Sequence, residues 1–291
     1  MSETKTWQEL LVRLADQRPA LLDIRSAEEF VRGHLPGAVN KPVPVGASDA
    51  DLAAALPSHV LPPRHAVLMI LAAESEVAEC IAAWLRHRGR IEISVMTAAP
   101  DWAAAPDGVL VQGAENTVLW EAPPWLTGHV DLLPAPSHGP VVDLGCGSGR
   151  AAVWLAARGY EVCAVDRHPE ALEWAVDLAT DLGVSLETLC ADLTVESDWP
   201  GGPWSVAVML RFLHRPLVDA LPDLVRPGGV VVLRTFRWVE GAWTLPRRQF
   251  CLEQGELNTL FDDRDWEILD LREDDDADGR PGAGIVARRR G

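Results

Sequence analysis

The sequence predicts two α/β domains in tandem, each built on a mainly parallel sheet. Three observations predict this. The chain has 291 residues, enough for two separate cores. Short apolar runs alternate along it with stretches of helical periodicity, and strand–helix alternation implies parallel strands. Its composition is that of a globular protein, with 48% apolar and 24% charged residues and enough Gly and Pro for many turns. The break is expected near residue 113, giving domains of 1–113 and 114–291.

The elements of the first domain follow in order. Trp7–Gln17 reads as a helix, with Leu10, Leu11, Leu14 and Ala15 on one face. ALLDI is a short apolar strand. SAEEF opens a helix: Ser26 is the N-cap and Glu29, three residues on, completes a capping box. GHLPGAVNKP is turn chemistry. AVLMIL is a second strand, EVAECIAAWLRHRG a helix closed by Gly89, and IEISVM a third strand.

Within this region LLDIRSAEEFVRGHLPGAVNKP resembles the rhodanese family, through Asp23, Arg25, Glu29, Phe30, Gly33, His34, Pro36, Gly37, Ala38 and Asn40. PDWAAAPDGV resembles that family's closing Trp segment. The resemblance implies a persulfide-bearing Cys just after the AVLMIL strand, where this chain has Leu71 and Ala72. The loop LAAESE brings Glu74 and Glu76 instead, and acids raise the pKa of a nearby thiol. Cys80, spaced with Val77, Ile81 and Trp84, reads as core. The domain is thus expected to be inactive as a sulfurtransferase and to serve docking or regulation, through a docking partner of its own.

In the second domain VVDLG reads as a buried strand, GCGSG as a glycine-rich turn, RAAVWLAARG as a helix and YEVCAVD as the next strand. A strand, a tight Gly turn and a helix N-terminus form a cradle for a nucleotide-like ligand. The dinucleotide pattern GxGxxG is not met, because Arg150 stands where its last Gly belongs. Asp143–Leu–Gly–Cys–Gly–Ser–Gly resembles motif I of the class I S-adenosylmethionine-dependent methyltransferases. LCADL, WSVAVML, LVRPGGVVVLRTF and a last pair of strands at WEILDL and GIVARR match the later elements. The resemblance implies a seven-stranded, Rossmann-like sheet and S-adenosylmethionine as cofactor. It assigns Gly145, Gly147 and Gly149 to the methionine part, Asp143 to its ammonium, Asp166 to the ribose, and Asp192 with the Leu193 N–H to the adenine. A plain helix N-cap is the other reading of Asp192.

The acceptor is expected after the fourth strand, at LRFLHRPL, where Arg211, His214 and Arg215 cluster. His214 is the candidate base or orienter and Arg211 the candidate anion ligand. A surface or helix-capping His is the alternative for His214. LWEAPPWL, with Trp125, belongs to a segment 114–139 expected to fold over the cofactor or to pack between domains. LPRRQFCLEQGEL, with Arg247 and Arg248, resembles a segment of a bacterial branch of the family that also carries RFLHRP. Methyl transfer to a small molecule is the leading expectation, with a sulfur or selenium acceptor suggested by the neighbouring module. An RNA or protein methyltransferase and a non-catalytic scaffold are the rivals.

The formal net charge is −17, and both halves are acidic, which disfavours nucleic acid. The amino-terminal stretch lacks the basic start and apolar core of a signal peptide. The longest apolar run, AVLMILAA, is too short to span a bilayer, so no membrane is expected. Five Cys without CxxC spacing, all but Cys251 in apolar-looking elements, suggest reduced thiols, a cytoplasmic protein and no metal.

Overall fold

The computed structural model describes residues 7–96, 105–114, 117–241, 245–262 and 264–291. The chain forms two compact units, Met1–Glu121 and Ala122–Gly291, so the division falls somewhat after the expected 113. Among the described residues no helix is long and apolar enough to cross a membrane.

In the first unit α1 (Trp7–Gln17) precedes β1 (Ala20–Asp23), α2 (Ala27–Arg32), β2 (Ala38–Asn40), α3 (Asp49–Ala55), β3 (Leu68–Leu71), α4 (Ser75–His87) and β4 (Ile93–Met96). The four strands are all parallel, in the order β2-β1-β3-β4. The Ser26/Glu29 capping box is present. Strand β2 lies inside what the sequence presents as turn chemistry. Three residues carry no readable periodicity, and β1 supplies the hydrogen bonds that make them a strand. Leu10, Leu21, Phe30, Leu35, Met69 and Leu71 form the core, with Val109 and Leu110 packed against it. Trp102, the aromatic of the closing segment, lies outside the described residues.

Helix α4 corrects the phase read from the sequence. Its buried residues are Ala78, Ile81, Ala82 and Leu85, while Cys80 is exposed. Small alanines take the inner face, which a pattern keyed to large side chains does not see. Cys190 and Cys251 also exchange expectations, for Cys190 is exposed on an edge strand and Cys251 is buried.

The second unit begins with α5 (Pro124–Thr127) and continues with β5 (Val141–Leu144), α6 (Arg150–Ala156), β6 (Val162–Asp166), α7 (Pro169–Asp181), β7 (Glu187–Cys190), β8 (Trp204–Leu210), α8 (Arg215–Leu224), β9 (Val225–Phe236), α9 (Leu257–Leu260), β10 (Trp266–Asp275) and β11 (Pro281–Arg289). Seven strands form one sheet in the order β10-β11-β9-β8-β5-β6-β7. The five strands from β9 to the β7 edge are parallel; β11 runs antiparallel to both β9 and β10. The sheet is covered on both faces. One face carries Leu213, Leu217, Leu221 and Phe261; the other carries Trp125, Leu126, Ala152 and Leu155.

Trp125 is held in that second core. A Cβ on Gly284 would lie 2.7 Å from the indole, so only glycine lets the ring rest on β11. His129 fixes the same segment: its Nε2 lies 2.7 Å from an Asp270 carboxylate oxygen and its Nδ1 2.6 Å from the Trp125 carbonyl. Trp125 therefore serves the sheet face beside β11 instead of folding over the glycine turn.

Candidate functional site

Parallel strands end together, so the turns after β5, β6, β7, β8 and β9 gather at one edge of the sheet. The turn after β5 holds the three glycines, all with positive φ: 77° at Gly145, 53° at Gly147 and 77° at Gly149. Each has a different neighbour. A Cβ on Gly145 would come within 2.8 Å of the Phe212 Cβ, and one on Gly149 within 2.3 Å of the Ala175 Cβ on α7. Gly147 faces open space, with nothing within 4 Å of its added Cβ. Two glycines thus let neighbouring elements close in, and the middle one leaves bare backbone at the surface. The turn is pinned by the Gly145 and Cys146 N–H groups, both donating to the Val165 carbonyl at 2.9 Å.

Three carboxylates stand around this turn. Asp143 is buried and accepts the Ala152 N–H of α6 at 3.1 Å. Burial, with a smaller push from Asp166, raises its carboxyl to about 7 against the pull of that N–H. Asp166, at the end of β6, accepts the Gly147 N–H at 2.9 Å through one oxygen. Its other oxygen accepts the His168 N–H at 3.0 Å and lies 3.0 Å from that ring's Nδ1. Asp192, after β7, accepts from the Thr194 hydroxyl at 2.7 Å and the Thr194 N–H at 3.0 Å, both through Oδ1. These bonds hold its carboxyl below the usual range. Asp192 therefore organises a tight turn, and its Oδ2 has no hydrogen-bond partner among the described residues. Leu193 is buried, and its carbonyl accepts from the Trp199 indole at 2.9 Å.

The cluster read at LRFLHRPL divides among three tasks. His214 stands at the start of α8 with its ring 6.5 Å from Trp199, edge to face. It lies with the residues after β7. Arg211, itself at φ 60°, reaches the β10–β11 hairpin, 3.8 Å from Asp276 and 3.6 Å from Asp278. Its guanidinium is 5.5 Å from the Phe236 ring centre. Arg211 therefore has two of the protein's own carboxylates within 4 Å, while its side chain is 59% exposed. Arg215 pairs with Glu256, Nη2 to Oε2 at 2.9 Å, and donates to the Gln249 and Cys251 carbonyls at 3.1 and 2.9 Å. That grip joins RFLHRP to CLEQGEL in space. Arg248 is exposed and pairs with Glu253.

One residue escaped the sequence reading. Arg237 directly follows β9, and its backbone is bracketed by the Pro281 carbonyl at 2.9 Å and a parallel bridge to Leu252. The strand-end rule that singled out Arg211 applies equally to Arg237 and could have found it.

In the first unit the rhodanese-type residues form a buried frame. Arg25 grips Asp23 with Nη2 at 2.6 Å and donates to the Gly33 carbonyl at 3.0 Å. The Asn40 amide donates to the Asp23 and Arg25 carbonyls at 3.0 and 2.9 Å, and His34 stacks on Phe30 at 3.7 Å. The loop after β3 presents Ala73, Glu74, Ser75 and Glu76 to solvent and buries Leu71 and Ala72.

Comparison with known proteins agrees with both halves. Residues 6–97 match the family model described as a rhodanese-like domain, and residues 141–229 match a methyltransferase domain. A ubiquinone biosynthesis O-methyltransferase of Pectobacterium atrosepticum is 31% identical over 110 residues, covering 36% of this chain and 46% of that one. Its counterpart in Chromobacterium violaceum is 30% identical over 127 residues, covering 42% and 55%. Hemagglutinin 1 of Eikenella corrodens is 29% identical over 152 residues, covering 48% and 50%. The chain spans about half the length of the curated relatives it matches. Among solved structures, TehB from Haemophilus influenzae is similar at 19% identity, covering 57% of this chain and 61% of that one, with a TM-score of 0.47.

Proposed function

We propose that this chain, a rhodanese-like domain joined to a methyltransferase domain, transfers a methyl group from S-adenosylmethionine to a small-molecule acceptor. The observation that carries the reading is the glycine turn framed by acids. Gly147 offers bare backbone, and Asp143, Asp166 and Asp192 give the surroundings a negative field. Asp143 and Asp166 repel one another enough to contribute to the raised Asp143 pKa, and a ligand bearing sulfonium and ammonium charges relieves that repulsion. Two phosphates would meet the opposite, unfavourable field.

When bound, the cofactor supplies an activated methyl group for in-line displacement, so alignment and exclusion of water can provide much of the rate. In this reading Asp166 exchanges its Gly147 and His168 bonds for the ribose hydroxyls, and the free Oδ2 of Asp192 accepts from the adenine amino group with the Leu193 N–H on the ring. His214 borders that adenine end beside Trp199. Arg211 fixes the acceptor end through Asp276 and Asp278. The relatives named as O-methyltransferases favour an oxygen acceptor; the rhodanese-like neighbour is the one ground for sulfur or selenium. The same neighbour is read as a docking or regulatory module.

Calorimetric titration with S-adenosylmethionine tests the donor. Asp166→Ala should weaken binding by about 1.5–3 kcal/mol, the range for hydrogen bonds to a charged acceptor. Unchanged affinity in the folded variant would remove Asp166 from the site. Mass spectrometry of a metabolite extract incubated with labelled donor identifies the acceptor; absence of any labelled product would favour a scaffold.

A further inference from the structure

Beside the end of β9 lies a shallow cleft, open to solvent and lined by Phe236, Arg237, Trp238, Leu245, Cys251 and Arg280 among others. A relay of neighbouring residues runs from its wall to the glycine turn. Gly145 lies against Phe212, the next residue back is Arg211, and Arg211 lies over Phe236 in the cleft wall. The far wall is the chain returning from Leu245 to Leu252, which pairs with β9 through Trp238 N–H to the Leu252 carbonyl and Leu252 N–H to the Phe236 carbonyl, both 2.8 Å. Arg215 clamps that return from outside.

Three guanidinium groups border this wall, and their partners differ. Arg280 pairs with Asp278 through Nε at 3.0 Å and lies 4.4 Å from the Phe236 ring centre. Arg211 shares Asp276 and Asp278. Arg237 differs. Its side chain is 20% exposed, its Nε is buried with no hydrogen bond, and the nearest carboxylate, on Glu273, is 3.8 Å away. Glu273 directs its Oε1 to the Gly255 N–H at 2.6 Å. A largely buried cation with an unused Nε–H is costly unless something completes it, and a guanidinium is best completed by a planar oxyanion gripped with two parallel bonds.

We infer that the cleft binds the methyl acceptor, and that the acceptor is a ring-bearing or apolar molecule with a carboxylate, held by Arg237. Phe236, Trp238 and Leu245 cover the apolar body, and Arg237 takes the carboxylate. The assignment of the cleft to the acceptor rests on the methyl-transfer reading; the preference for an apolar carboxylate does not. Arg237 is then a specificity residue that sets which end of the acceptor faces the cofactor.

The test uses the full chain and two isosteric probes, phenylacetate and phenylacetamide, titrated by ligand-observed NMR with and without S-adenosylmethionine. Phenylacetate should bind at least tenfold more tightly than the amide. Arg237→Gln should abolish that preference, and Arg237→Lys should retain part of it, while both variants keep the wild-type affinity for S-adenosylmethionine. Equal binding of the two probes to the wild type, or a preference that survives in Arg237→Gln, would overturn the inference. A carboxylate preference lost in Arg237→Gln, in a protein that does not bind S-adenosylmethionine, would uphold the cleft and refute the methyl-transfer reading instead.

Discussion

Alanine at Gly149 and alanine at Gly147 should fail in different ways. Both positions have positive φ, 77° and 53°, and an L side chain in that region costs about 1–2 kcal/mol. At Gly149 the new methyl would also lie 2.3 Å from the Ala175 Cβ and 2.9 Å from its Cα. The second is backbone of α7 and cannot swing aside. Overpacking of that kind adds about 1–3 kcal/mol, so the whole loss should be about 2–5 kcal/mol. At Gly147 the methyl would meet nothing within 4 Å, leaving only the backbone strain of about 1–2 kcal/mol. Urea unfolding measures the first quantity and calorimetric titration with S-adenosylmethionine the second. Gly149→Ala should unfold at clearly lower urea. Gly147→Ala should lose no more than about 1–2 kcal/mol in stability yet lose at least roughly tenfold in donor affinity, since its methyl occupies the space through which a ligand approaches the backbone. Wild-type donor affinity in Gly147→Ala would refute the reasoning about the open face. Equal stability of the two variants would show that α7 does not press on the turn.

Other expectations concern charge and the front domain. Asp143 is raised from 3.8 to about 7 by burial first and Asp166 second, so its contribution to stability is present below pH 4 and is lost as the pH rises through 7. Asp143→Asn should flatten that slope, and binding of the cationic donor to the wild type near pH 6 should release protons, measurable by calorimetry in buffers of differing ionisation enthalpy; no release would contradict the placement. Arg25→Ala leaves the fully buried Asp23 carboxylate without its partner and should cost about 3–5 kcal/mol in urea unfolding of the front domain, with a loss under 1 kcal/mol counting against the frame. Incubation with thiosulfate and cyanide should form no thiocyanate, because the loop after β3 has no thiol; robust formation abolished by Cys80→Ser would mean the exposed Cys80 does the work that loop lacks.

The residues that could be read in advance are those whose meaning is local. Ser26 and Glu29 cap a helix within one turn, and the three glycines and Asp143 sit within seven consecutive positions. The acidic ends of β6 and β7 follow from the strand pattern. What could not be read is what the β10–β11 hairpin decides. Arg211 and Arg237 both follow apolar strands, and nothing nearby distinguishes them. Asp276 and Asp278 lie beside Arg211 and Glu273 beside Arg237, its other oxygen on the Gly255 N–H, and these partners lie far along the chain. Trp125 escaped for the same reason, because its seat is a missing Cβ at Gly284. Cys80 was misplaced by a purely local ambiguity, since an alanine-lined inner face leaves the phase of a helix underdetermined.

Strand β11 is the last element of its domain in chain order and lies inside the sheet, between β9 and β10. Its Ala283, Ile285, Val286 and Ala287 are fully buried. Until β11 is seated, β9 paired with β8 has its other edge bare. A bare, Val-rich edge is a template for pairing with another nascent chain. The acidic run of the hairpin, residues 273–278, directly precedes the strand that closes the gap, and its charge disfavours such pairing while the edge is open.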